Sequence, residues 1–219
     1  MRKRFIFAFV LLILLSTYNL QNHYSISSKF YIKKIIVENN FILKEEDIIQ
    51  NLLFLYKTNL FFLGEKKLKH KINKMDFVES FKIKKIFPNT IKIEIYEKKP
   101  IAILQKKERR YYYTDKDEIV DFKNLENYKN LPVIFGNEKD FKTLYTNLKK
   151  TNFPIKTIEK FFLFKSKRWD LLTTNNITIK LPINEYNESL NNFIKITKNK
   201  NLNKYKTFDY RINGQLILN

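Results

Sequence analysis

Cysteine is absent from the 219 residues, glycine occurs 3 times, histidine twice and tryptophan once. Without cysteine the chain has no disulfide framework and no thiolate metal site. Its glycines, Gly64, Gly136 and Gly214, are too dispersed to form the glycine-rich loop that cradles phosphates. His23 lies in a short polar stretch and His70 in a lysine-rich one, neither with partners at ligand or triad spacing. Glu45, Glu46 and Asp47 open a helical pattern, where the helix dipole favours acids. Asp115 and Asp117 stand in a turn that lacks the ligand series and closing glutamate of a calcium loop. Asp209 and Arg211 share one strand face and read as making structural ion pairs with neighbours rather than doing catalysis. Catalytic residues, metals and cofactors are therefore not expected, and a non-catalytic scaffold is the better class.

Basic residues are abundant instead: 42 Lys and Arg against 22 Asp and Glu give a formal charge of +20. That balance suits a nucleic-acid binder or a protein lying on anionic lipid. The lysines are spread along the whole chain and accompany many Ile, Asn, Phe and Tyr residues, the signature of an AT-rich genome. Composition bias is thus the favoured origin of the charge. Hydrophobic residues make up 44%, enough to build one large or two small cores.

Arg2-Lys3-Arg4 precedes an uninterrupted apolar run, residues 5–15, that includes Phe5, Leu11, Leu12 and Leu15. A basic start before an apolar run leaves the N-terminus in the cytoplasm and sends the rest across the membrane. As a helix, residues 5–20 would reach about 24 Å, against a hydrocarbon core of about 30 Å. The short run also fits a cleavable signal sequence. The nearest small-x-small site, Ser25-Ile26-Ser27, lies far downstream, so retention as a signal anchor is expected. Residues 1–4 are then a cytoplasmic tail, 5–20 the transmembrane anchor and 21–29 a spacer.

From there the pattern is strand (30–37), turn (Glu38-Asn39-Asn40), helix (44–55) and helix (65–75), followed by two strands within 78–100. In the first helix Ile48, Ile49, Leu52 and Leu53 recur at helical spacing; in the second Leu68, Ile72 and Met75 do. Ile91, Ile93 and Ile95 alternate with polar residues, as do Phe81 and Ile83, and Phe87-Pro88-Asn89-Thr90 supplies the turn. Strands are expected again at 101–105 and 110–114, then at Ile119-Val120 after the turn Asp115 to Glu118. Amphipathic helices are expected at 138–150, through Phe141, Leu144, Tyr145 and Leu148, and at 186–198, through Leu190, Phe193, Ile194 and Thr197. Asn213-Gly214 reads as a two-residue hairpin turn into 215–218.

The order strand, helix, helix, strand, strand, with Val37-Glu38-Asn39-Asn40, Asn59-Leu60-Phe61 and Glu97-Lys98-Lys99-Pro100, resembles the POTRA domain of the FtsQ/DivIB family of bacterial division proteins. Asn39 stands where that family has glycine, and Asn also tolerates positive φ. The second half continues the resemblance in Leu131-Pro132-Val133-Ile134-Phe135-Gly136, Arg168-Trp169-Asp170-Leu171, the segment from Asn176 to Leu181-Pro182, and Phe208-Asp209-Tyr210-Arg211. The family's usual glycine in the turn at Asp115 to Glu118 is missing.

The resemblance implies an α+β protein with an N-terminal membrane anchor, a POTRA domain over 30–100 and a mostly antiparallel β-domain with flanking helices over 101–219. It implies a single-pass inner-membrane protein with its bulk in the periplasm at the division septum, linking early and late division proteins. It also implies that the closing strands receive the FtsB component of an FtsB/FtsL coiled-coil pair. Carried onto this sequence, that surface is Arg211, Ile212, Gly214, Gln215, Leu216, Ile217 and Leu218, of which strand alternation should leave about half packed in the sheet. Other division proteins would meet the POTRA domain. The competing expectations are a POTRA-bearing accessory of outer-membrane assembly or transport, and a membrane-tethered nucleic-acid binder.

Overall fold

The computed structural model describes residues 2–17, 29–198, 204–212 and 214–219. Helix α1, Arg2–Thr17, holds the apolar run, and its side chains from Arg4 to Ser16 are exposed. Among the described residues no helix is long and apolar enough to cross a membrane. The expected span runs on through Tyr18, Asn19 and Leu20, which lie outside the described residues. The remainder forms two compact units that divide after Glu97.

The first unit carries a three-stranded sheet in the order β1 (Lys34–Glu38), β3 (Thr90–Glu97), β2 (Val78–Ile86). β1 runs parallel to β3 and β2 antiparallel to it, with Val37 opposite Ile93 and Ile93 opposite Ile83. Two helices, α2 (Glu45–Asn51) and α3 (Glu65–Asn73), supply Ile48, Leu68 and Ile72 to the core formed with Ile91, Ile93 and Ile95. This is the POTRA order, with the sheet's alternate isoleucines buried as their spacing predicts.

Three details depart from the sequence pattern for local reasons. The first helix stops at Asn51 and continues as a 3-10 turn, Leu53–Lys57. Residues three apart eclipse in such a turn, and Leu52 and Leu55 are both fully buried. The expected strand at 30–37 begins only at Lys34, because its first residues pair elsewhere. Tyr31 forms an antiparallel bridge with Asn59, and the Leu60 N–H donates to the Phe30 carbonyl at 2.8 Å. The second helix ends at Asn73 rather than at Met75, which still packs against the core.

Asn39 does adopt the left-handed conformation, at φ 63°. The chain that follows is held by one side chain: the Glu97 carboxylate accepts the backbone N–H groups of Phe41, Ile42 and Leu43 at 2.9, 2.8 and 2.8 Å. Three donors that no helix or ladder uses are thereby satisfied by an acid at the end of β3.

The second unit is a nine-stranded sheet. From β12 (Ile217–Leu218) it runs through β11 (Thr207–Asp209), β10 (Thr178–Lys180), β9 (Trp169–Thr173) and β8 (Ile158–Leu163). It continues through β7 (Val133–Phe135), β4 (Pro100–Lys106) and β5 (Arg109–Thr114) to β6 (Ile119–Asp121). Five of its neighbour pairs are antiparallel and three, β4 with β7, β7 with β8 and β10 with β11, are parallel. Helices α4 (Glu138–Lys150) and α5 (Tyr186–Ile196) pack Phe141, Leu144, Leu148, Leu190 and Phe193 into one core with the sheet.

Gly136 ends β7 because a Cβ there would stand 2.9 Å from the Leu163 Cβ and 3.1 Å from the Trp169 ring. In the turn where the family's glycine is missing, Asp117 itself takes φ 58°, accepts the Tyr113 hydroxyl at 2.9 Å and pairs with Lys142 at 3.0 Å. Asp115 accepts the Lys99 N–H at 2.8 Å, so both acids serve the turn.

Replacing Glu97 with Ala should destabilise the first unit by about 2–3 kcal/mol, the cost of leaving several donors without their charged acceptor. Urea unfolding of the full chain, followed by a reporter in the first unit, measures it. Glu97→Gln, which keeps one strong acceptor, should cost less.

Candidate functional site

The two ends of the nine-stranded sheet are β12 and β6, so the last strand is an edge. Its attachment to β11 sets Phe208 opposite Leu218 and Asp209 opposite Ile217. Thr207 and Asn219 exchange both backbone bonds, at 2.9 and 3.1 Å. In an antiparallel ladder such pairs alternate with pairs that share no bond. Leu218 belongs to the second kind, so its N–H and C=O point outward from the sheet and can pair with an added strand.

The side chains divide accordingly. Leu216 and Leu218 are partly buried against the core, while Ile217 is 47% exposed. Ile212 and Gln215 are exposed. Gly214 takes φ 72°, and the Gln215 N–H donates to the Ile212 carbonyl at 3.1 Å, closing a turn. Asn213, the other half of the expected two-residue turn, lies outside the described residues. The turn sits where the sequence placed it, but the ladder with β11 does not begin at Gln215. It begins at Ile217, because Arg211, the next residue of the chain to face that side, gives its N–H to the Asp209 carboxylate at 3.1 Å. Tyr210 continues the ladder with β10 by donating to the Lys180 carbonyl at 2.9 Å.

Residues 210–212 and 214–216 consequently stand outside the ladder, beside α5. Between them lies a groove of about 310 Å³, lined by Pro182, Glu185, Ser189, Tyr210, Gln215 and Leu216 among others. The Tyr210 hydroxyl reaches Asn192 on α5 at 3.0 Å, tying the loop to the helix. Burial pushes the Tyr210 hydroxyl well above its usual range, so it stays protonated. The family resemblance named the C-terminal segment but not Glu185, Glu188 and Asn192, which line the groove beside it. No motif marks them, and only the fold brings this helix beside the closing loop.

Charge is organised beneath the edge. Asp170, Lys180 and Asp209 stand opposite one another on β9, β10 and β11. Arg168 donates to Asp170 at 3.1 Å, and Arg211 holds Asp209 through contacts of 2.6 to 2.9 Å. The Arg211 hydrogen bonds draw the Asp209 carboxyl below the usual carboxylate range, whereas burial pushes Asp170 above it despite Arg168. Structural ion pairing was expected with neighbours; Asp209 and Arg211 pair chiefly with each other, with Lys180 at 4.0 Å, and the pair fixes the course of the chain as it leaves β11.

Phe5, Leu11, Leu12 and Leu15, expected to anchor the chain, are all exposed on α1. Among the described residues no group of three or more His, Asp or Glu is placed to hold a metal ion. His70 lies on α3, and His23 is outside the described residues.

Because its folded-state pKa is lowered, Asp209 contributes stability that is complete above about pH 4 and is lost as pH falls through the folded value. Asp209→Asn should therefore lower the urea midpoint at pH 7, and the difference from the parent chain should close as the pH drops below 4. An undiminished difference at low pH would contradict the assignment.

Comparison with known proteins agrees with this architecture in both units. Residues 30–98 match the model of the FtsQ-type POTRA domain, and residues 102–211 match that of the FtsQ/DivIB cell division protein C-terminal region. The chain is similar to the cell division protein FtsQ of Rickettsia conorii, 27% identical over 203 residues that cover 90% of this chain and 76% of that one. To FtsQ of Rickettsia typhi it is 25% identical over 200 residues, 89% of this chain and 75% of that one. The cell division protein DivIB of Clostridium acetobutylicum is 34% identical over 102 residues, 47% of this chain and 39% of that one. With a POTRA fold in its first unit and a C-terminal family match across most of its second, the chain belongs to the FtsQ/DivIB family of cell division proteins.

Proposed function

We propose that this chain is a non-catalytic, single-pass inner-membrane scaffold of the division machinery. In this proposal α1 and the residues after it anchor the chain with its N-terminus in the cytoplasm, and the two folded units stand in the periplasm at the septum. The C-terminal edge receives a strand from a coiled-coil partner of the FtsB/FtsL type, and the POTRA unit meets other division proteins.

The observation that carries this proposal is the outward-facing main chain of Leu218 at a sheet edge beside an open groove. Strand addition at such an edge draws affinity from backbone bonds and specificity from alternate side chains. Each backbone bond contributes a net of only about 0.5–1.5 kcal/mol, so a short edge needs side-chain contacts as well. Ile217 on one face and the groove along Tyr210 and Leu216 on the other offer them.

Leu218→Pro tests the mode of binding. Proline removes the outward N–H and no partner of the bonds to β11, which are made by Thr207, Asp209, Ile217 and Asn219. Leu218→Ala, which loses the packed side chain but keeps the N–H, is the control and should retain more binding. For Leu218→Pro, loss of capture of a co-expressed FtsB/FtsL-type pair, by about tenfold or more, is expected with an unchanged far-UV circular dichroism spectrum. Truncation after Gly214 should abolish capture. Normal binding by Leu218→Pro and by the truncated chain would remove the C-terminal edge as the docking site. For the cellular role, a fluorescently tagged full chain should form a band at midcell; an even envelope signal would contradict it.

A further inference from the structure

The first unit presents an aromatic surface that its own fold does not use. Phe61 packs edge-to-face against Phe30, ring centroids 4.5 Å apart, and at a tilt against Phe87, 4.8 Å apart. Phe62 beside them is 84% exposed, and Phe61 and Phe87 are exposed by more than half. These rings come from three separate parts of the chain, so the cluster is a product of the fold. The neighbouring Leu60 and Leu63 supply the buried contacts of the same loop. The Phe61 N–H donates to the Asn59 side chain at 2.9 Å, which directs the following residues outward.

The charge around this surface is mainly of one sign, Glu65 beyond the loop being the acid that acts on Lys85. Segments 29–34, 57–63 and 84–90, which converge at this end of the sheet, contain Lys29, Lys33, Lys34, Lys57, Lys84 and Lys85 and no acidic residue. Exposed aromatic rings set among lysines suit the boundary between lipid headgroups and acyl chains, where rings partition and lysines pair with anionic headgroups. Position agrees with charge. Only residues 18–28 separate α1 from Lys29, a tether of at most about 40 Å when fully extended.

We propose that Phe30, Phe61, Phe62 and Phe87, with the surrounding lysines, seat the first unit on the surface of an anionic membrane. The proposal rests on the anchoring of α1 in that membrane. It gives the POTRA unit a fixed standing on the bilayer and gives a local share of the lysine excess a use beyond composition.

The chain has no cysteine, so Phe62→Cys creates a unique labelling site in the full chain. The labelled protein, carrying an environment-sensitive dye, is reconstituted in phosphatidylcholine vesicles with or without phosphatidylglycerol. On vesicles with phosphatidylglycerol, blue-shifted emission and quenching by a spin-labelled lipid are expected. Adding Lys29→Glu and Lys33→Glu should lower the ratio of docked to free dye by more than about tenfold. Adding Phe61→Ser and Phe87→Ser should abolish quenching with the circular dichroism spectrum unchanged. A solvent-exposed dye on a chain that floats with the vesicles overturns this proposal, leaves the anchor intact, and is the result a protein-binding patch would give. Equal quenching on pure phosphatidylcholine overturns it too, because the lysines then contribute nothing. A chain that stays in the aqueous fraction overturns both the docking and the anchor.

Discussion

Across seven strands of the larger unit, Leu104, Ile134, Phe161, Leu171, Ile179, Phe208 and Leu218 stand opposite one another in a single row. All but Leu218 are essentially inaccessible to solvent, and α4 and α5 cover the row. A slip of one residue anywhere in the row would exchange faces along that strand. On β9, β10 and β11 it would drive Asp170, Lys180 or Asp209 under the helices, at a cost of several kcal/mol for each unpaired charge. The apolar row thus fixes the register, and the charged row on the opposite face enforces it.

That register determines what the end of the chain can do. Leu218 is the terminal member of the apolar row, so its side chain is committed inward and its main chain is left facing out. Burial of Leu216 and Leu218 and the bonds of Thr207 with Asn219 hold a strand of only two residues in place. The Asp209 and Arg211 pair and the tie from Tyr210 to Asn192 then shape the loop that lines the groove. The edge is held because it is the last step of a packed sheet, and open because, among the described residues, no strand pairs on its outer side. The first unit follows a different rule: Glu97 closes the chain after β1, while the loop that buries Leu60 and Leu63 turns its aromatic residues outward.

Much of this was legible in the sequence. The period of two at Ile91, Ile93 and Ile95 and the helical spacing at Phe141, Leu144 and Leu148 are local patterns, and those residues are buried as the spacing requires. The turn residues were readable too, since Asn39 was expected to tolerate the left-handed conformation it adopts. What the chain concealed depends on contacts between distant segments. The three N–H bonds of Glu97 span more than fifty residues, and the parallel pairing of β10 with β11 brackets a whole helix. The Arg211 N–H turns to the Asp209 carboxylate and leaves the final ladder to begin at Ile217, which strand alternation alone does not reveal. The C-terminal segment was identified by motif, but the groove beside it needed α5 to be placed.

The claim on which the functional account turns is that a partner strand pairs with the outward main chain of the last strand. Hydrogen exchange at the Leu218 amide, in the full chain with and without an FtsB/FtsL-type partner, tests it most directly. The account predicts that this amide exchanges freely in the isolated chain and becomes strongly protected in the complex. Protection elsewhere on the surface, with Leu218 exchanging as fast as before, would contradict it.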